Sequence, residues 1–464
     1  VQQEDPFDMT TAGSILDLIG NTPLVELRNI DTGPCRLFVK LENQNPGGSI
    51  KDRIGRSMIE AAELSGQLKP GGTIVEATAG NTGLGLALVA GQKGYKLLLV
   101  IPDKMSQEKI FNLKAMGVEI VLTRSDVGKG HPDYYQDKAA EIVRTTPGAV
   151  HVNQFENQAN PLAHETETGP EIWSQMGHDV DAVVCGVGSG GTITGLSRFF
   201  ERVSPATEMI LADPKGSILA DYVETGELRT DVGSWLVEGI GEDFIPPVCD
   251  LSRVKKAYVV DDAESFMTAR EILEKEGILA GTSSGTLITA ALRYCREQTE
   301  PRRVVTFVCD SGNKYLSKAF NDYWMLDQGL IKRKSHGDLR DIISRPFDEG
   351  STITAAPDDT LMAAYSRMKL YDISQLPVIE QGDLVGIIHE SDILLAVYDN
   401  EEQFSQPVKD AMTSRLETVD VAASIQDLLP IFEHGHVAIV KDKDRFHGLI
   451  TRIDLLNYLR RSVA

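Results

Sequence analysis

The stretch "TIVEATAGNTGLGLALVAGQKGYKLLLVIP" (Thr73–Pro102) runs from one apolar segment to another through a glycine-punctuated middle. Its two ends, "TIVEA" and "KLLLVIP", are short, apolar and bounded by turn formers, as buried strands are. Between them "NTGLGLALVAGQKG" carries apolar residues at helical spacing and ends on Gly94, a helix stop. Strand, covering helix, strand is the unit that joins parallel strands. The grammar recurs in "YKLLLVIPDKMSQEKIFNLKAMG" (95–117) followed by "VEIVL" (118–122), in "DAVVCGVGSGGTITGLSRFFE" (181–201) and in "RRVVTFVCDSGNKYLSKAF" (302–320). Up to about Leu330 the chain therefore reads as an α/β fold with a largely parallel sheet.

Beyond that point "GLIKRKSHGDLRDIISRP" is charged and short of apolar periodicity, so 331–345 reads as a linker. Then "GDLVGIIHESDILLAVY" (382–398) resembles "DRFHGLITRIDLLNYLR" (444–460). Each copy follows a β-like run and a helical segment, which divides the remainder into a paired module, 346–404 and 405–464.

Composition narrows the function classes. The 464 residues are 42% hydrophobic and 25% charged, an ordinary globular balance long enough for two or three domains. Sixty-eight acidic against 46 basic residues give a net charge of −22, which argues against nucleic acid and membrane as partners. No apolar run reaches spanning length, and the start "VQQEDPFDM" lacks signal-peptide regions, so a cytoplasmic location is expected. The five cysteines form no CxxC and the nine histidines no HExxH, so no metal site is expected.

Four short stretches carry chemistry. In "ENQNPGGSIKDRIG" (Glu42–Gly55), Asn45 to Gly48 form a turn cluster and Ser49-x-x-Asp52 matches a capping box. Lys51 then stands in the first helical turn, where the dipole disfavours an ammonium. A lysine pushed towards its neutral form is what Schiff-base chemistry needs. "GVGSGGTITG" (Gly186–Gly195) joins strand to helix and offers backbone N–H groups to an anion. It also contains the dinucleotide fingerprint Gly186-x-Gly188-x-x-Gly191, with Asp213 at a plausible ribose-binding distance. Phosphate cradle, dinucleotide site and bare turn stay open on this loop alone. "TAGNTG" (Thr78–Gly83) suits a carboxylate, with Asn81 left to bond something larger. In "GILAGTSSGTLITAA" (Gly277–Ala291), Ser283 and Ser284 precede a helix, as N-caps or as a hydroxyl facing a heteroaromatic nitrogen. Taken together, a helix-start lysine, a phosphate cradle, a carboxylate loop and a serine turn are the parts that hold pyridoxal 5'-phosphate. A dehydrogenase needs neither Lys51 nor the "TAGNTG" loop.

With "NPGGSIKDR", "TAGNTG", "GVGSGGTITG" and "EGIGEDFIP" (Glu238–Pro246) in this order, residues 11 to 330 resemble the fold-type II pyridoxal-phosphate enzymes of the cysteine synthase and cystathionine β-synthase group. The C-terminal repeat resembles a Bateman module of two CBS motifs. The resemblance implies two α/β subdomains with largely parallel sheets and a catalytic core over 1–330. By the same resemblance Lys51 is the Schiff-base and proton-moving lysine, and Asn81 bonds the cofactor's ring oxygen. Gly188, Ser189, Gly190, Gly191 and Thr192 hold its phosphate, and Ser283 faces its pyridine nitrogen. Thr78, Ala79, Asn81 and Thr82 bind the substrate carboxylate. The implied reaction is β-replacement in transsulfuration: L-serine with L-homocysteine gives L-cystathionine and water, with sulfide-forming side reactions from cysteine. The alternative is a cysteine synthase using O-acetylserine or O-phosphoserine and sulfide. A third reading, an adenosyl-ligand sensor with a residual core, conflicts with the intact Lys51 and anion loops.

The pattern departs from animal members in three places. They carry a haem-binding extension, whereas about ten residues precede "TAGSILDLIGNTPL" here, so no haem is expected. Phe155 and Glu242 each stand where those members have tyrosine. Phe155 lines the substrate pocket or simply packs. Glu242 either receives the ammonium or thiol proton of homocysteine or is a solvated loop residue. Glu238 and Gly239 match the Glu-Gly-Ile-Gly loop expected for cystathionine synthesis, and Asp310 reads as a strand-end acid capping "SGN". In the module, Thr451 and Asp454 stand where an adenosyl ribose is contacted, and the first copy has His389 and Asp392 there. An adenosyl ligand such as S-adenosylmethionine, or a purely structural role in a homodimer or homotetramer, are the two expectations.

Overall fold

The computed structural model describes residues 11–463, apart from 79, 104–106, 129, 230 and 444. The chain divides into two compact units, one ending at Phe320 and one beginning at Asn321. No helix among the described residues is long and apolar enough to cross a membrane.

The first unit holds ten strands: β1 (Leu24–Glu26), β2 (Arg36–Leu41), β3 (Thr73–Glu76), β4 (Lys96–Pro102), β5 (Glu119–Thr123), β6 (Ala149–His151), β7 (Ala182–Gly186), β8 (Glu208–Pro214), β9 (Val254–Val260) and β10 (Arg303–Val308). They form a four-stranded sheet, β5-β4-β3-β6, and a six-stranded sheet, β1-β2-β10-β7-β8-β9. Every pairing is parallel except β1 with β2. In β7, Ala182 to Cys185 are all buried, as expected where helices cover both faces of a parallel sheet.

Strand order decides where a ligand can sit. In the smaller sheet the chain moves outward from β3 to β5, then returns to place β6 on the other side of β3. In the larger sheet it moves from β7 to β9, then returns with β10 beside β7. Such reversals open a crevice beyond the carboxyl ends of the flanking strands. The segments leaving those ends are Ala77–Gly80, Val152–Phe155, Val187–Gly190 and Cys309–Asp310.

Two local expectations are corrected. The Ser49–Asp52 capping box does not form: Ile50 is the N-cap of the helix Lys51–Leu64 and makes no side-chain cap bond. Asp52 accepts the Gly47 N–H instead, while Ser49 Oγ accepts from Lys51 N at 3.3 Å. After β10 a short 3-10 turn, Gly312–Tyr315, replaces the expected helix. It begins at Ser311, whose hydroxyl accepts from Asn313 N, so Ser311 rather than Asp310 caps "SGN".

The second unit repeats one motif. The helix Leu361–Tyr371 leads into the hairpin Gln375–Glu380/Asp383–His389 and the helix Glu390–Val397. In the second copy the helix Leu429–Glu433 leads into the hairpin Ala438–Asp442/Arg445–Ile450 and the helix Arg452–Val463. Each copy has its own core, around Leu361, Met368 and Ile388 in the first and Leu428, Val440 and Ile450 in the second. The stretch read as a linker is partly built in, because Leu339, Ile342 and Ile343 are buried in that second core. The helix Asp322–Asp327, read as catalytic core from sequence, belongs to this unit: Arg460 donates to Asp327 O at 2.8 Å. Short amphipathic pieces such as these lack the repeating pattern that marks a domain in sequence.

A buried charge network fixes the start of the Lys51 helix. Arg53 is fully buried and donates to Glu42 through Nε and to Glu171 through Nη1, at 2.8 and 2.7 Å. Replacing Arg53 by Met leaves the fully buried Glu42 without its cation. The expected loss is about 3–5 kcal/mol of stability in the first unit, measured as a fall in the urea midpoint followed by circular dichroism.

Candidate active site

A cavity of about 210 Å³ lies at these strand ends. It gathers Lys51, Thr78, Asn81, Thr82, Phe155, Gly188, Ser189, Gly190, Thr192, Gly239, Glu242 and Ser283, residues from across the first unit. Gly191 stands just behind the wall, and Ala79 lies outside the described residues.

Each anion loop is the lead-in to a helix. Gly80 precedes the helix Asn81–Lys93, with Gly80 N donating to Thr78 Oγ1 at 3.2 Å and Thr82 Oγ1 to Gln154 Oε1 at 2.7 Å. Gly190, with φ at +85°, precedes the helix Gly191–Val203. Behind this turn Asn160 Nδ2 donates to Ser189 Oγ at 2.9 Å, and Thr192 Oγ1 meets His164 Nε2 at 3.2 Å. A Cβ on Gly191 would fall 1.8 Å from Asn160 Oδ1, and one on Gly190 would fall 2.4 Å from Cys249 Cβ. The loop is thus packed too closely for side chains and presents backbone to the cavity, which fits a phosphate. Asp213, the ribose candidate, is turned away and buried, accepting from Ala220 N at 2.9 Å. The dinucleotide reading loses its acidic partner.

The two serines separate. Ser284 is spent on the backbone, accepting from Cys309 N at 2.9 Å, while Ser283 lines the cavity. Neither is an N-cap, because Gly281 precedes the helix Thr282–Arg296. Ser283 is thus free of a capping role, and its side chain bonds Cys309 at the cavity wall.

Burial sets the protonation states. Desolvation lowers the Lys51 ammonium, against smaller upward pulls from Cys309 and Glu242. Glu242 is pushed up to about 8, chiefly by burial and then by the charge of Asp243. Burial also raises the Cys309 thiol to about 12 and lowers His164, which the charges of Lys51 and Arg53 push down further. Glu238 is held below the usual range despite burial by Lys109 and Lys318, the latter at 2.8 Å. Asn81 is clamped: its Nδ2 donates to Asp310 Oδ2 at 2.8 Å and its Oδ1 accepts from Lys314 Nζ at 2.6 Å.

Sequence reasoning passed over Gln154, Asn160, His164, Cys309 and Lys314. Gln154 and Asn160 lie in "NQFENQANP" (153–161), and a polar run after β6 was the signal available. Phe155 does reach the cavity, with its ring 5.7 Å from that of Phe244.

In the second unit a cavity of about 520 Å³ is lined by Thr451, Asp454, Arg345, His436 and Arg452 among others. Asp454 Oδ2 accepts from Thr451 N at 2.7 Å and from its Oγ1 at 2.6 Å, and Oδ1 accepts from Ser344 Oγ at 2.5 Å. His389 and Asp392 bond each other at the start of the helix Glu390–Val397 and do not line that cavity.

The family model for pyridoxal-phosphate dependent enzymes matches residues 15–310, and that for the CBS domain matches 339–399 and 408–461. The chain belongs to the pyridoxal-phosphate dependent enzymes. It is similar to a cystathionine beta-synthase of Dictyostelium discoideum, 36% identical over 97% of this chain and 92% of the relative. Among solved structures, a hydrogen sulfide-producing enzyme of Fusobacterium nucleatum is 38% identical, with a TM-score of 0.61, covering 66% of this chain and 100% of that one. An O-acetylserine dependent cystathionine beta-synthase of Helicobacter pylori is 35% identical, also at 0.61, covering 67% of this chain and 99% of that one.

Proposed function

We propose that the chain condenses L-serine with L-homocysteine to L-cystathionine and water, by β-replacement. One observation carries this reading. A desolvated lysine, a phosphate-sized backbone cradle and a carboxylate loop share one cavity, in a chain similar along 97% of its length to a cystathionine beta-synthase. Pyridoxal phosphate, when bound, supplies an electron sink for the substrate's Cα. The chain's own residues supply the rest. Gly188 to Thr192 hold the phosphate, Ser283 meets the ring nitrogen and Asn81 the ring oxygen. Thr78, Ala79, Asn81 and Thr82 hold the serine carboxylate at the start of the Asn81 helix. Lys51, lowered by burial, takes the α-proton on Nζ and then has a proton to give the departing hydroxyl. Hydroxide leaves poorly, so this acid help matters. Cysteine in place of serine would release sulfide by the same steps.

A second reading is favoured by the likeness to the Helicobacter pylori enzyme, whose name gives O-acetylserine as its requirement. An acetyl or phosphoryl ester leaves without acid help, and sulfide could then serve as nucleophile, as in a cysteine synthase. Supplying serine with homocysteine and sulfide together, then O-acetylserine, separates the readings by mass spectrometry of products. Cystathionine from serine is expected to predominate. Cysteine alone, or turnover only with the ester, would favour the second reading.

Glu242 faces the same cavity and titrates near neutrality, which suits acceptance of the thiol proton. It accepts only when ionised, so its contribution grows as pH rises through about 8. Glu242→Gln is expected to cut homocysteine use by about 100-fold, with a smaller effect on sulfide. The wild-type to variant ratio of kcat/KM should rise as Glu242 ionises around that pH and fall again once the thiol itself ionises and needs no acceptor.

The cavity beside Thr451 and Asp454 supports an adenosyl ligand, S-adenosylmethionine or an adenine nucleotide; the paired motifs support a homodimer or homotetramer, and five scattered cysteines without a CxxC pair support a reducing cytoplasm. Calorimetric titration with S-adenosylmethionine is expected to give heat that Asp454→Ala abolishes. No heat and no change in rate would leave the module a structural role.

A further inference from the structure

A second cavity, of about 550 Å³, adjoins the cofactor cavity, and the two share Gly80, Asn81 and Gly239 as walls. Its charged lining is Lys109, Glu238 and Lys314. Glu238 is already claimed by Lys109 and Lys318. Lys314 is placed differently. Its Nζ donates to Asn81 Oδ1 at 2.6 Å and reaches Gly48 O at 3.5 Å. No carboxylate among the described residues forms an ion pair with it. The two acids that act on it from nearby, Asp310 and Asp52, form no ion pair with it, and each bonds other groups through one oxygen. Asp310 accepts from Asn81 and Tyr315, and Asp52 from the Gly47 N–H. A lysine has three donors, so with Asn81 and Gly48 bonded one N–H is left for a ligand, on an ammonium that burial lowers and the nearby acids raise.

The reaction requires a receptor of this kind. In the proposed reaction the first amino acid's carboxylate takes the Thr78–Thr82 loop, inside the cavity of about 210 Å³ that the cofactor would share. A second amino acid must bring its thiol to the same atoms while its own carboxylate stays outside. Sulfide has no such need. We propose that the adjoining cavity admits the thiol co-substrate and that Lys314 binds its α-carboxylate, so that Lys314 selects an amino-acid thiol over a bare one. This rests on the reading that an amino-acid thiol is the second substrate.

The test compares homocysteine with 3-aminopropane-1-thiol, the same molecule without its carboxylate, using the cofactor-loaded full chain and serine. Lys314→Gln keeps a donor towards Asn81 and removes the charge, and Lys314→Met removes both. In each variant the preference for homocysteine, as a ratio of kcat/KM values, is expected to fall about ten-fold or more, the size of a lost charged hydrogen bond. The fall should lie in KM for homocysteine, and Lys314→Arg should restore part of it. A ratio unchanged in both Lys314→Gln and Lys314→Met would overturn the proposal, because Lys314 would then act only through Asn81. A wild-type chain that turns over sulfide but not homocysteine would overturn the functional reading as well.

Discussion

Lys51 starts a helix whose first turn is tied down by a buried charge network. Arg53, two residues beyond Lys51, makes paired bonds to Glu42 and to Glu171, all at 2.7–2.8 Å. Glu171 also accepts from Lys40 at 2.7 Å, and Lys40 donates to the backbone of Thr22 at 2.6 Å. Thr22 Oγ1 closes the ring on Glu42 at 2.7 Å. Burial alone would raise Glu171, yet Arg53 and Lys40 hold it down to about 2. The guanidinium fork is what makes the arrangement possible, since a lysine at 53 could not serve two carboxylates bidentately. Five segments meet at this cluster: the chain around Thr22, β2, the turn at Glu42, the Lys51 helix and the helix Gly169–Gln175. Such a network adds little net stability over an apolar core, but each member is costly to remove singly. Its consequence is geometric: the first turn of the Lys51 helix has no freedom to shift.

The same burial tunes the chemistry. Lys51 and Glu242 face one small cavity, and desolvation moves them in opposite directions, the lysine down and the acid up. Both shifts favour the uncharged form, so a proton can move between groups in the cavity at modest cost. His164, behind the phosphate loop, is kept neutral by burial and by the charges of Lys51 and Arg53. It thus serves Thr192 as a hydrogen-bond partner without adding a charge beneath the anion site.

What was legible in sequence follows from distance along the chain. Lys51, "TAGNTG" and "GVGSGGTITG" each pack their signal into a few consecutive residues, because a turn and the helix start after it are local objects. The C-terminal repeat was legible for the same reason, as hairpin and helix follow each other directly in both copies. Lys314 gave no such signal, and Gln154 and Asn160 only an unspecific polar run. Each acts on a loop that is remote in the chain, as when Lys314 reaches Asn81 across more than two hundred positions. The failed Ser49 capping box teaches the converse lesson. Its pattern was complete, but Asp52 took the nearby Gly47 N–H, while Ser49 and Ile50 were drawn to Asp310 and Cys309 at a distant strand end. Leu339, Ile342 and Ile343 hid in a charged stretch because only three apolar side chains anchor it.

Four helices of 13 to 15 residues begin at the cofactor cavity, and each contributes a lining residue near its start: Lys51, Asn81, Thr192 and Ser283. Each brings unpaired N–H groups and the positive end of its dipole. Their combined field suits a phosphate and a carboxylate and opposes an ammonium, which is the charge pattern that pyridoxal phosphate and an amino acid present to a neutral lysine. Within that field an ionised Glu242 would be stabilised by the dipoles, yet burial and Asp243 still hold it near 8. A residue balanced between these pulls responds to what enters. A second anion at the Asn81 loop would raise it further, and a thiol approaching with its own proton would find an acceptor only after that charge is offset. The chamber lysine at 314 supplies such an offset beside the Asn81 loop, where one helix start separates the two cavities. Cation outside and acid inside give an amino-acid thiol an ordered way in, carboxylate held back and sulfur forward.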